Sequence, residues 1–163
     1  MAKPHVQGSN DIIIQAFPQV VYQILTDGSL LPQWMPPVLH TTAGIETVGC
    51  IRECEVELEG RSGKVVERCI EAIPGQRIAW ELVDDTLGFN KMLKGFSFSF
   101  SLEIRPGGNT RVINETYYKP RNILAALMNV LLLLRRKFSK VRQKALEGIK
   151  GLAESAGALR DAV

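Results

Sequence analysis

Glu67, Glu115 and Tyr117 are the residues of this sequence whose types and positions could do chemistry. Each reads as lying on the apolar side of a strand, where a carboxylate loses hydration unless a partner satisfies it. In such a place a glutamate could act as a general base, and a tyrosine could donate to a carbonyl oxygen. The same groups could instead orient the polar end of an otherwise apolar ligand. They could also be structural, with Glu67 near a strand end or paired with an arginine from the helix, and Glu115 in a fixed hydrogen bond. Three strands separate the two carboxylates in this reading, ~14 Å at ~4.8 Å per strand. That is too far for a shared proton or for a glycosidase pair. Beside them runs "KGFSFSFSLEI", residues 94–104. As a strand it turns Phe96, Phe98 and Phe100 to one face and Ser97, Ser99 and Ser101 to the other.

Turn signals position these residues. "EGRSG" (59–63), "PGQ" (74–76) and "PGGN" (106–109) divide residues 38–119 into strands. An even-length loop at Arg61–Ser62 sets Glu59 opposite Lys64, Glu55 opposite Arg68 and Arg52 opposite Glu71. A one-residue shift would oppose Glu57 to Glu67 and Glu53 to Glu71, which is unfavourable. The preferred register also opposes Cys54 to Cys69. A two-residue turn at Pro74–Gly75 sets Arg68 opposite Glu81 and Cys69 opposite Trp80. A turn at Gly107–Gly108 sets Leu102 opposite Ile113, Phe100 opposite Glu115 and Phe98 opposite Tyr117. One face is then charged and hydroxylated. The other carries Cys54, Val56, Leu58, Val65, Cys69, Ile78, Trp80 and Leu82 with the three candidate polar groups.

Before these strands, "DIIIQAF" (11–17) is an apolar run ending at Pro18, and "PQVVYQILTDG" (18–28) reads as a short helix stopped by Gly28. "SLLPQWMPPV" (29–38) is a second short helical or turn segment. From Arg121 to about Glu154 no proline interrupts a helical apolar spacing, which predicts one long closing helix. Its start, "ILAALMNVLLLL" (123–134), is apolar nearly all round, and shorter than the ~20 residues that span a bilayer. Leu124, Leu127, Met128 and Leu131 are expected to face the sheet. Ile123, Ala126, Val130 and Leu133 then need cover from another element, a second copy of the chain or a membrane surface. The basic run "RRKFSKVRQK" (135–144) beside it would suit anionic lipid, or a solvated helix face opposite acidic outer strands.

The chain has 163 residues, 45% of them hydrophobic and 23% charged, which suits one soluble domain spanning residues 1–163. A net charge of +3 is too mild to imply nucleic acid. The start, "MAKPHVQGSN", lacks a basic-then-apolar leader, so the expected location is cytoplasmic. The three cysteines, Cys50, Cys54 and Cys69, are odd in number and lack metal-ligand spacing, with His5 and His40 remote in sequence. Neither a disulfide framework, a metal site nor a cofactor is expected.

This order of elements resembles the START/Bet v 1-like (SRPBCC) superfamily, including its bacterial polyketide cyclase/dehydrase proteins. The resemblance is carried by "AFPQVVYQILTDGSLLPQWMPPV" (16–38), "VVERCIEAIPGQRIAWEL" (65–82) and "NILAALMNVLLLLRRKFSKVRQKALEGIKGL" (122–152). It implies an α+β helix-grip fold: a curved antiparallel sheet of about seven strands wrapped around a long C-terminal helix, with two short helices after the first strand. It also implies a hydrophobic cavity between sheet and helix, which in the family holds lipids, sterols, polyketides, quinones or aromatic compounds. Trp34 matches the position that closes the cavity mouth. The family has no universal catalytic motif, so no catalytic residue carries over. The candidate ligand-binding set is Trp34, Glu67, Trp80, Phe98, Phe100, Glu115, Tyr117, Leu124, Leu127, Met128 and Leu131. The expected function is binding or transport of a small hydrophobic molecule. The alternatives are a cyclase/dehydrase-like enzyme with an interior glutamate as base, and an interaction module that forms a homodimer or touches a membrane surface.

Overall fold

The computed structural model describes residues 5–130 and 133–161. The first strand, β1 (Val6–Ile14), leads into helix α1 (Pro18–Thr26), with Pro18 at the first helical position. Proline is pre-set for that position and has no N–H to leave unsatisfied. A single 3₁₀ turn joins α1 to the short α2 (Leu31–Trp34). Then follow β2 (Val38–Thr41), β3 (Ile51–Leu58), β4 (Arg61–Ile73) and β5 (Arg77–Asp85). The one-turn helix α3 (Phe89–Met92) precedes β6 (Leu93–Arg105) and β7 (Asn109–Pro120). Two helical segments close the chain, α4 (Ile123–Val130) and α5 (Leu133–Asp161).

The seven strands form one antiparallel sheet in the order β1-β7-β6-β5-β4-β3-β2. Its inner face packs on α1, α2 and the second half of α5 through Ile14, Leu25, Trp34, Trp80, Phe100 and Leu146, all of them buried. A second, smaller cluster joins Leu93, Tyr118 and Leu134 with Phe89, Phe96, Met128 and Phe138. Splitting the apolar interior in two leaves a space between the clusters. The helix-grip expectation therefore holds, with two short helices after the first strand.

Three registers decide which side chains face inward, and they differ from expectation in instructive ways. The β4–β5 register sets Arg68 opposite Glu81 and Cys69 opposite Trp80 as expected, but by another route. The loop is the three-residue Pro74–Gly75–Gln76, with Ile73 paired to Arg77, and a bulge between Cys69 and Glu71 restores the pairing. At the β3–β4 hairpin the turn is instead Glu59–Gly60, both at positive φ, the geometry of the two-residue turns that match strand twist. Glu55 then meets Lys64, and Cys54 meets Val65 rather than Cys69. The slip is of even length, so the side chains from Ile51 to Cys69 keep their expected faces.

The β6–β7 hairpin is different. Pro106, Gly107 and Gly108 form a three-residue loop, with both glycines at positive φ, and Arg105 pairs with Asn109. Phe98 consequently pairs with Thr116, Phe100 with Asn114, and Ser99 with Glu115. This single-residue change turns the β7 side chains over. Glu115 and Tyr117 leave the interior, and Asn114 and Thr116 replace them.

Leu124 and Leu127 do not face the sheet. They are 65% and 53% exposed, because α4 presents Ala125, Met128 and Asn129 to the body of the protein. Leu131 lies outside the described residues. Among the described residues no helix is long and apolar enough to cross a membrane, and no group of three or more His, Cys, Asp or Glu could hold a metal.

Candidate ligand-binding cavity

The gap between the two apolar clusters is a partly open cavity of about 130 Å³. Phe96 and Phe98 form its β6 wall, reached by strand alternation alone, and a bulge between Lys94 and Ser97 bends that wall. Val56, Val65 and Leu82 come from β3, β4 and β5, Leu31 and Met35 from α2 and its end, and Phe138 from α5. Phe98 stacks on Trp80 at 5.4 Å between ring centroids, and Phe96 stacks on Phe89 at 6.2 Å. An apolar cavity of ~150 Å³ admits a benzene-sized molecule. The space therefore matches one aromatic ring or a short chain, with more of a ligand extending through the open side.

Five polar side chains reach this space: Arg52, Glu67, Asn114, Thr116 and Arg142. Arg52 sits on β3 with the same parity as Cys54 and Val56, so its guanidinium points inward, and its side chain is only 3% exposed. It donates Nη1 to Glu46 Oε1 at 2.5 Å and Nε to Glu67 Oε2 at 2.7 Å. Its guanidinium carbon lies 4.4 Å from the Trp80 ring centre, and the Trp80 indole N–H donates to the other Glu46 oxygen. Burial works to lower the Arg52 pKa. The attraction of Glu67 and Glu46 outweighs it, and the pKa stands above the ordinary arginine value. Glu67 is thus an interior carboxylate with its charge engaged. Its partner comes from the neighbouring strand rather than from the helix.

The other candidate residues distribute as follows. Trp34 is buried and meets Phe100 edge-on at 5.6 Å. It belongs to the core, and its α2 neighbours Leu31 and Met35 touch the cavity instead. Trp80 and Phe100 form the layer behind the cavity wall. Met128 packs in the second cluster. Glu115 and Tyr117 join a network on the outer face. Tyr117 donates to Glu115 Oε2 at 2.6 Å, Arg77 Nη2 donates to the Tyr117 hydroxyl oxygen at 3.3 Å, and Arg77 Nε donates to Glu71 at 2.7 Å. Cys54 is buried in contact with the interior, and burial pushes its thiol up to about 11.

Sequence reasoning missed Glu46, Arg52, Asn114, Thr116 and Arg142. Arg52 was detectable, since strand parity alone puts it beside Cys54 and Val56. Arg142 was detectable too: Phe138, Val141, Arg142, Ala145, Leu146 and Ile149 follow helical spacing, so the arginine lies on the apolar stripe. Glu46 sits in the long link between β2 and β3 and carries no periodic signal.

Comparison with known proteins agrees with this architecture. The chain belongs to the family described as polyketide cyclase/dehydrase and lipid transport, which matches residues 5–154. A START superfamily protein from Mycobacterium smegmatis superposes with a TM-score of 0.71 at 15% identity, over 91% of this chain and 97% of that one. An aromatase/cyclase from Streptomyces sp. R1128 superposes at 0.72 and 15% identity, over 90% and 92% of the two chains. A major latex-like protein from Panax ginseng superposes at 0.62 and 12% identity, over 89% and 97%. At these identities the likeness is one of fold. No curated protein matches the sequence.

Proposed function

We propose that this protein binds and carries a small, largely apolar molecule in the cavity between sheet and helix. The observation that carries the reading is the cavity itself: about 130 Å³, walled by phenylalanines and aliphatic side chains, partly open, and reached by few polar groups. Sites of this kind take their affinity from apolar contact and their orientation from a few placed polar atoms. A carrier is favoured over a cyclase/dehydrase-like enzyme because the Glu115–Tyr117 pair lies outside and the Glu67 carboxylate is held by Arg52. Native mass spectrometry of protein purified from its own host should show a bound small molecule, and calorimetry should show saturable binding of the neutral probe 2-naphthamide. Glu115→Gln and Tyr117→Phe should leave that binding within about twofold. Tyr117→Phe should cost about 1 kcal/mol of stability, the worth of an outer-face hydrogen bond, and Glu115→Gln less, because its amide carbonyl can still accept from Tyr117. A large loss of binding in either variant would return the site to the sheet's other face.

A second reading, contact with an anionic membrane surface, is favoured by α4. Ile123, Leu124 and Leu127 are exposed on it, and Arg121, Arg135 and Arg136 stand exposed nearby. An apolar face beside basic residues suits the headgroup boundary. Co-sedimentation with phosphatidylserine-containing vesicles should fall several-fold in a Leu124→Glu/Leu127→Glu variant. Equal pelleting of both proteins would remove this reading.

A further inference from the structure

Two buried arginines line the cavity, and they are treated differently. Arg52 has two carboxylates. Arg142, on α5, is 6% exposed and forms no ion pair with any described carboxylate. It donates Nε to the Asn10 side-chain oxygen at 2.8 Å and Nη1 to the Thr116 hydroxyl oxygen at 2.9 Å. Both acceptors are neutral. The remaining nitrogen, Nη2, donates to no acceptor among the described residues. The backbone makes room for this guanidinium at Gly8 on β1, where an added Cβ would stand 2.5 Å from Nη2. The fold therefore shapes a seat for the cation and supplies no countercharge. An uncompensated buried charge costs several kcal/mol, and burial holds the Arg142 pKa below the ordinary arginine value. Glu67 does not relieve it. Thr116 on β7 and Glu67 on β4 are three strands apart in the sheet order, on the order of 14 Å along it.

We propose that the cavity's ligand is a small organic acid, with its carboxylate on Arg142 and its apolar body against Phe96, Phe98 and Phe138. A planar guanidinium with a free N–H is suited to an anionic oxygen, and a charge-assisted bond is stronger than a neutral one. The Thr116 hydroxyl, beside Nη1, and the Asn114 amide lie on the same wall to complete the polar end. This rests on the ligand-chamber reading above, and the test separates the two.

Calorimetry would compare 2-naphthoate with 2-naphthamide, which share one ring system and differ in charge. The wild-type protein should bind the acid at least about tenfold more tightly. Arg142→Gln should erase most of that preference, with a larger loss of affinity for the acid than for the amide. Without ligand, Arg142→Met should unfold within about 4 °C of wild type, because removing a buried charge that has no countercharge offsets the two hydrogen bonds lost to Asn10 and Thr116; an arginine kept for structure alone would give a larger loss. Equal wild-type affinity for acid and amide overturns the acid assignment and leaves the chamber intact. Binding of neither probe removes the chamber reading itself. An acid preference that survives in Arg142→Gln overturns the role of Arg142. If that variant does not fold, Arg142→Met decides: a lost preference supports the assignment, and an unchanged one overturns it.

Discussion

Arg52→Ala should cost about 3–5 kcal/mol of folding stability, the usual effect of removing one partner from a buried ion pair. Arg52 and Glu46 are each 3% exposed at the side chain, and Glu67 is 13% exposed. With the arginine gone, two carboxylates remain in a space that admits little water. Glu46 would keep only the Trp80 indole N–H, and Trp80 would lose the cation over its ring. For a chain of this length each kcal/mol shifts the thermal midpoint by roughly 2–4 °C, so a drop on the order of 10 °C is expected. The triple variant Arg52→Met, Glu46→Gln, Glu67→Gln should recover most of it, because no charge is then stranded and the amide carbonyl introduced at position 46 can still accept from Trp80. Urea titration of the wild type and both variants would check the loss and its recovery. A loss below about 1 kcal/mol in Arg52→Ala would mean that water reaches the acids and that the cavity is wetter than its lining implies.

How far the sequence could be read depended on parity. The aromatic wall needed only the alternation of Phe96, Phe98 and Phe100 within one strand, so no turn could spoil it. Facing across β3 and β4 survived a displaced turn, because the displacement was even. There a non-glycine residue, Glu59, accepts a φ of +52°, a conformation that residue type seldom adopts. Facing on β7 failed because "PGGN" is compatible with a two-residue and a three-residue loop, and the two differ by one residue. Tertiary packing selects the odd loop: it buries Val112 and Tyr118 and seats Thr116 under Arg142. No local signal in four residues contains that choice. The exposed start of the closing helix failed for a related reason. An all-round apolar segment gives no stripe from which to choose a buried side, and the choice falls to Asn129, which accepts from the Tyr118 hydroxyl at 2.8 Å. The cation on α5 was hidden by its company, since five basic neighbours made residues 135–144 look like a solvated face.

The size of the cavity, as distinct from its existence, rests on one ring. Phe98 stacks on Trp80, meets Phe100 edge-on at 6.5 Å, and forms the wall between the core and the space beyond it. Phe98→Ala should cost about 3 kcal/mol, from lost apolar burial together with the void left behind. That void would open into the existing cavity rather than stand as a separate hole, because the ring is their shared boundary. The variant should therefore accept a bulkier probe, such as an anthracene carboxamide, that the wild-type protein binds at least about tenfold more weakly. Saturating probe, at about a hundredfold over its dissociation constant, should restore about 2.7 kcal/mol, nearly the whole deficit. Leu82→Trp should act in the opposite sense: it adds a ring to the same space, lowers 2-naphthamide affinity by about tenfold or more, and leaves the thermal midpoint close to wild type. Unfolding curves recorded with and without each probe would read both effects. If Phe98→Ala lost stability and gained no capacity for the larger probe, the wall would have collapsed inward, and Phe98 would be a core residue beside the cavity with no control over what enters it.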